Sequence, residues 1–194
     1  MTVGPDQRYL YCMSAADESH RTKFHALLHE QIRNEFNASH QYLATAVYFD
    51  NADLPRLAKH FYKQANEERN HAMMIIQYFL DRDISIELSG IDPAKSRFES
   101  AREPIALALA QEKDVTEQVV QLARTARDDG DYLGEQFMQW FLKEQVEEVA
   151  RMTTLLTIAD RAGSNLFDLE DFVAREMSSV DDASGAPEVA GGKI

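Results

Sequence analysis

The sequence predicts an all-α protein, an antiparallel four-helix bundle with one long crossover and a short fifth helix at its C-terminal end. Three observations lead there. No glycine interrupts the chain between Gly4 and Gly90 or between Gly90 and Gly130, and the prolines in those stretches (Pro5, Pro55, Pro93 and Pro104) fall at plausible boundaries. Apolar residues recur at helical spacing through four long segments. The spacing from Glu35 to Glu68 is 33 residues and recurs from Glu112 to Gln145, so the first helix pair echoes the second.

Taken in order, residues 1–17 lack helical periodicity and form an N-terminal extension, in which Met13 is an alternative start to Met1. The bundle is expected over 18–162. Its first helix runs from Thr22 to Phe49, with the stripe Phe24, Leu28, Ile32, Glu35, Ser39, Tyr42 and Ala46. Asp53 is expected to cap a second helix, with Pro55 in its first turn, reaching Leu80 through Leu57, Phe61, Gln64, Glu68, His71 and Ile75. Residues 81–99 are the long connection, enough to run the length of a helix of about 28 residues, about 42 Å. Ser100 and Glu103 read as a capping box opening the third helix, which carries Ile105, Leu109, Glu112, Thr116, Val119 and Ala123 and stops near Gly130. A fourth helix from Asp131 to Ala162 carries Met138, Phe141, Gln145, Glu148, Met152 and Leu155. Gly163 ends it, and Asn165 is expected to cap a short helix, giving a fifth element over 163–177. Residues 178–194, with Gly191 and Gly192, read as a flexible tail. Short turns make helices 1 and 2, and helices 3 and 4, antiparallel neighbours.

Composition narrows the function. Asp and Glu number 33 against 20 Lys and Arg, a net charge of −13, which argues against nucleic acid as partner and suits the attraction of small cations. Cys12 is the only cysteine, so neither an internal disulfide nor a cysteine metal cluster can form. No apolar run approaches a membrane span and no signal-peptide core is evident, so a cytoplasmic protein is expected.

Each of the four stripes is broken near its middle by a polar side chain. A buried, unpaired carboxylate costs several kcal/mol, so four such intrusions at matching height call for a cation between them. Carboxylate oxygen and imidazole nitrogen are suitable ligands for Fe(II), and a pair of divalent ions is the natural occupant. Bundles of this design hold two metals with one Glu on each of two helices and Glu-x-x-His on the others. Glu35 and Glu112 fit the single positions and Glu68-x-x-His71 the first couple. Gln145-x-x-Glu148 departs from the second couple, since His71 is the last histidine in the chain. Singly, each residue has a plainer reading, Glu35 as a salt-bridge partner and His71 as a hydrogen-bonded core histidine. The conjunction favours metal.

The departure identifies a subfamily. Over about residues 20–177 the sequence resembles the prokaryotic non-haem ferritins, most nearly the actinobacterial, mycobacterial type. The likeness is carried by Asn34-Glu35-Phe36 with Tyr42, by Glu67-Glu68-Arg69-Asn70-His71-Ala72, by Gln111-Glu112, and by the run from Gln139 to Glu148. The resemblance implies a ferroxidase and iron-storage protein with a ferritin-like bundle, oxidising Fe(II) with O2 at a di-iron centre and storing ferric mineral in a homo-oligomeric 24-subunit cage. It implies one metal site at Glu35, Glu68 and His71, and a second at Glu112 and Glu148 with Gln145 nearby and Glu68 shared. Tyr42 would lie beside them, and Glu67, Glu144 and Glu147 would form a third iron site. Glu135 falls where the family lines its threefold pore, with Met138 at another such position. No haem is expected, because Arg69 stands where a haem-ligating methionine would follow the helix 2 glutamate, and Arg151 occupies the turn of the missing histidine. A DNA-protecting mini-ferritin, or a helical scaffold without metal chemistry, is the alternative reading.

Overall fold

The computed structural model describes residues 22–177 and 185–192. Five helices follow in order: α1 Lys23–Asn51, α2 Pro55–Asp81, α3 Arg102–Asp128, α4 Tyr132–Ala162 and α5 Leu166–Glu176. Packing is strongest between α1 and α2 and between α3 and α4, while α5 lies against α2 and α4. This is the expected four-helix bundle with a fifth helix. None of the described helices is long and apolar enough to cross a membrane.

The helix ends explain the turns. Thr22 opens α1, its hydroxyl accepting the His25 N–H at 3.2 Å while His25 Nδ1 accepts the Thr22 N–H at 3.4 Å. Both helices of the first pair end on an aspartate at positive φ, Asp53 (55°) and Asp83 (54°). The next residue returns its N–H to a phenylalanine carbonyl five positions back, Leu54 to Phe49 and Ile84 to Phe79, each at 3.0 Å. Leu54 and Ile84 are buried, so each ending has the bond and the apolar contact that close a helix C-terminus, with aspartate in the place glycine usually takes. Asp53 therefore terminates α1 and does not cap α2.

Two N-termini are closed by distant carboxylates. Asp129 accepts the Phe24 N–H at 2.8 Å, and Glu170 of α5 accepts the N–H groups of Arg56 and Leu57 at 2.9 and 2.8 Å. The expected capping box at Ser100 is absent: α3 begins at Arg102 without a side-chain cap, and Glu103 reaches back to the Glu99 N–H at 2.8 Å. Ser100 is used differently, its carbonyl accepting the Glu103 N–H. Asn165 likewise makes no cap bond to the backbone and donates to Asp168 at 2.8 Å.

The crossover is held by one stripe of α1. His29, Arg33, Asn37 and Gln41, four residues apart, share a face. His29 meets the Glu87 carbonyl at 2.7 Å, Arg33 donates to the Gly90 carbonyl at 3.0 Å, and Asn37 and Gln41 bond Asp92 and Lys95 in both directions. An extended segment thus satisfies backbone groups without a sheet or helix of its own.

Part of the expected flexible tail packs on the bundle. Val189 and Ala190 are buried, Val189 joins the apolar cluster of Phe24, Met74 and Phe79, and the Ala190 N–H donates to the Met73 carbonyl at 3.2 Å. Met73, Ile76 and Ala186 pack partly buried against the same cluster. The N-terminal extension and residues 178–184 lie outside the described residues.

The core divides in two. One cluster gathers around Phe24, Ile75, Phe79, Val119 and Met138, and the other around Phe49, Leu57, Phe61, Ile105, Met152 and Leu169. Between them lies a layer of buried polar side chains.

Candidate metal centre

The layer consists of Glu35 from α1, Glu68 and His71 from α2, Glu112 from α3, and Gln145 and Glu148 from α4. All are at most 5% exposed. Every helix supplies its contribution from the same stripe that builds the core, so the register that buries Leu28 and Ile75 also turns Glu35 and His71 inward. The four helices meet at one height, as the recurrent spacing requires.

Glu35, Glu68 and His71 each offer a ligating atom within 4.8 Å of the others. His71 Nδ1 lies 3.1 Å from Glu68 Oε2, and its ring is packed edge-on against Trp140 and Phe141, with centroids at 5.5 and 5.7 Å. Gln31 donates to Glu35 at 2.9 Å and fixes that carboxylate from the next turn. On the other side Tyr42 donates its hydroxyl hydrogen to Glu112. Arg151 donates to Glu148 at 2.7 Å. Thr116 bonds the Glu112 carbonyl at 2.7 Å and lies 3.4 Å from the Gln145 side-chain oxygen. Glu112 and Glu148, as buried as the trio, mark the candidate second metal position.

The electrostatics are those of a site short of positive charge. Among the described residues, one oxygen each of Glu35, Glu112 and Glu148 is buried without a hydrogen-bond donor. Burial, then the charge of Glu68, pushes the Glu35 carboxyl up to about 8. Burial pushes Glu68 well above the carboxylate range, with the charge of Glu112 next. Glu112 rises to about 7 through burial, opposed by the Tyr42 hydrogen bond. Glu148 also reaches about 7 through burial, opposed by Arg151. Tyr42 is raised well above its ordinary value by burial and then by Glu112. Four carboxyl groups whose common tendency is to hold protons, with orphan oxygens facing inward, form a site in which a divalent cation can replace those protons.

The other expected site residues stand apart. Glu67 is a quarter exposed and is engaged by Gln64, by Lys63 at 3.4 Å and by Arg151 at 3.9 Å. Glu144 is half-buried and Glu147 exposed, the latter 3.9 Å from Lys143. Glu135 pairs with Arg127 at 2.5 Å. Met138 is fully buried in the core, which corrects its reading as a pore-lining position: α4 turns it onto Phe24's cluster. Gln31, Thr116 and Arg151 were not read as site residues from sequence. Arg151 carried a signal, three residues after Glu148 on the same face.

Comparisons with known proteins point to one family. The family profile of the ferritin-like domain matches residues 25–162. The chain is 67% identical over 173 residues to "Ferritin BfrB" of Mycolicibacterium smegmatis, covering 89% of this chain and 96% of that protein. It is 62% identical over 177 residues to "Ferritin BfrB" of Mycobacterium tuberculosis, covering 91% and 98%. A "Bacterial non-heme ferritin" of Staphylococcus haemolyticus is 38% identical over 71% of this chain and 83% of its own length. Among solved structures, an open pore ferritin from the archaeon Archaeoglobus fulgidus superposes with a TM-score of 0.77 at 26% identity, covering 81% of this chain and 98% of that one.

Proposed function

The chain belongs to the ferritin family, and from that membership we propose that it is an iron-storage ferritin: it oxidises Fe(II) with O2 at the centre formed by Glu35, Glu68, His71, Glu112 and Glu148 and stores the ferric product as an oxo-hydroxide mineral in a 24-subunit cage. The observation that carries the reading is the buried trio of Glu35, Glu68 and His71, converging within 4.8 Å in the middle of the core. No apolar or hydrogen-bonding function needs three such groups there. The names of the mycobacterial and staphylococcal relatives support storage.

Iron is the substrate, and the residues divide its handling. Glu35, Glu68 and His71 hold one ion. Glu112 and Glu148 hold the second. Glu68 faces both, since its carboxyl feels Glu112 and Glu148 as well as lying beside His71, and it is the bridging group. Gln145 is a neutral amide beside the second ion, in the place of the glutamate of a Glu-x-x-His couple, with Glu148 in the place of its histidine. Tyr42 orients Glu112 by donating to it and is placed to supply an electron. A pair of Fe(II) ions supplies two electrons to O2. Glu67, Glu144 and Glu147 act in passing iron onward to the mineral, and Glu135 with its neighbours marks an entry route. No haem is bound, and the protein is cytoplasmic.

A mini-ferritin fits less well, because Glu35, Glu68 and His71 already converge within a single chain and a fifth helix follows the bundle.

Stopped-flow absorbance on aerobic Fe(II) addition tests the reading, together with native mass of the assembled particle. Wild-type protein should show a fast phase saturating near about two Fe(II) per subunit, the stoichiometry of a two-metal site. Glu68→Ala and His71→Ala should lose it while still assembling. An unchanged fast phase in the double variant Glu35→Ala, His71→Ala would overturn the assignment.

A further inference from the structure

A cavity of about 560 Å³ opens between α2, α4 and α5, next to the candidate metal centre but not part of it. Its charged lining is unusual for a chain of net charge −13. Lys63, Arg151 and Arg175 converge on it with His60, against Glu67 and Glu176. Glu67 is already engaged by Lys63 and Arg151, at 3.4 and 3.9 Å. Arg175 makes one hydrogen bond among the described residues, from Nε to the Asp171 carbonyl at 3.3 Å, so its terminal amino groups remain a fork for an anion. Phe172 and Met177 close the apolar side.

Arg151 joins this cavity to the metal centre. It lines the cavity and donates to Glu148 at 2.7 Å, with its side chain only 22% exposed. Whatever draws Glu148 towards a cation takes away the shorter of two carboxylate contacts of Arg151 and leaves the longer one, to Glu67 at 3.9 Å. A partly buried guanidinium held less closely beside a cation favours an added anion.

We propose that the cavity is an oxyanion site of the orthophosphate class, held by Lys63, Arg151 and Arg175, in which the anion and Glu148 compete for Arg151. The ligand is a tetrahedral oxyanion because two guanidinium forks and an ammonium provide donors from three helices around a volume far larger than a halide needs. The coupling rests on the metal-centre reading; the anion site does not.

Equilibrium dialysis of radiolabelled inorganic phosphate against the assembled, metal-free protein separates the two. Arg175→Gln and Lys63→Gln, both on exposed or partly exposed side chains away from the centre, should each weaken phosphate binding about 10-fold or more, while Lys113→Gln changes nothing. Glu148→Gln removes the competing charge from Arg151 and should tighten binding several-fold. Equal chloride displaces none of it. Phosphate affinity indifferent to Arg175 and Lys63 overturns the site. Affinity lost in those variants but unmoved by Glu148→Gln overturns the competition for Arg151. Zn(II) stoichiometry, measured on the same samples, reports on the metal centre separately: a wild type that binds no Zn(II) there refutes that reading without touching the phosphate result.

Discussion

Glu170 on α5 caps the N-terminus of α2 by accepting the Leu57 N–H at 2.8 Å, with the Arg56 N–H beside it at 2.9 Å. A short element with only Leu169 and Val173 fully buried is thereby tied to the bundle by a charge-assisted bond as well as by packing. Glu170→Ala should cost about 1–2 kcal/mol, the usual worth of an N-cap. Urea unfolding of the variant checks it. Glu170→Gln, which keeps an acceptor, should lose less.

Gly134 and Phe24 form a contact that tolerates no extra atom. A Cβ at Gly134 would lie 2.3 Å from the Phe24 ring, and Phe24 is itself fully buried. Gly134→Ala should destabilise by about 1–3 kcal/mol despite alanine's better helix propensity, because neither ring nor helix can give way. Phe24→Leu in the same chain should recover part of the loss, and thermal unfolding of the three variants measures it.

The raised carboxyls set a pH dependence whose sign is fixed. A Glu that titrates near 4.5 when unfolded and about 8 when folded holds its proton more tightly in the native state. Its contribution to stability is fully present below 4.5 and is lost as pH rises through 8. Glu112 and Glu148, at about 7, behave alike over a narrower window. Metal-free protein should therefore be less stable at pH 8.5 than at about pH 6, and Glu35→Gln should flatten the difference. Zn(II) binding should release protons near pH 6 and progressively fewer as pH rises past 8. Calorimetry in two buffers of different ionisation enthalpy counts them.

Removing residues 185–194 should not be neutral. Val189 is buried against the cluster of Met74 and Phe79, and Ala190 bonds Met73. Val189→Asp should lower stability by about 1–3 kcal/mol, since a charge cannot be held there without a partner. A melting temperature unchanged by both the truncation and Val189→Asp refutes the docking.

What the sequence by itself determined was everything periodic. Glycine and proline punctuation placed the four bundle helices close to their bounds, and the apolar repeat put Glu35, Glu68, His71, Glu112, Gln145 and Glu148 on inward faces, since a helix that buries Ile32 and Ile75 must bury what lies one turn away. Equal hairpin spacing then put them at one height. Only the tertiary structure decided the contacts between residues far apart in the chain. Capping of α1 by Asp129 and of α2 by Glu170, the approach of Arg151 on α4 to Glu67 on α2, and the bond from Ala190 to the Met73 carbonyl have no local signature. A polar side chain on a helix surface has several partners within reach, and which one it takes depends on how the helices pack. Local periodicity carries no information about that choice, which is why Asp53 and Ser100 read as caps and are not.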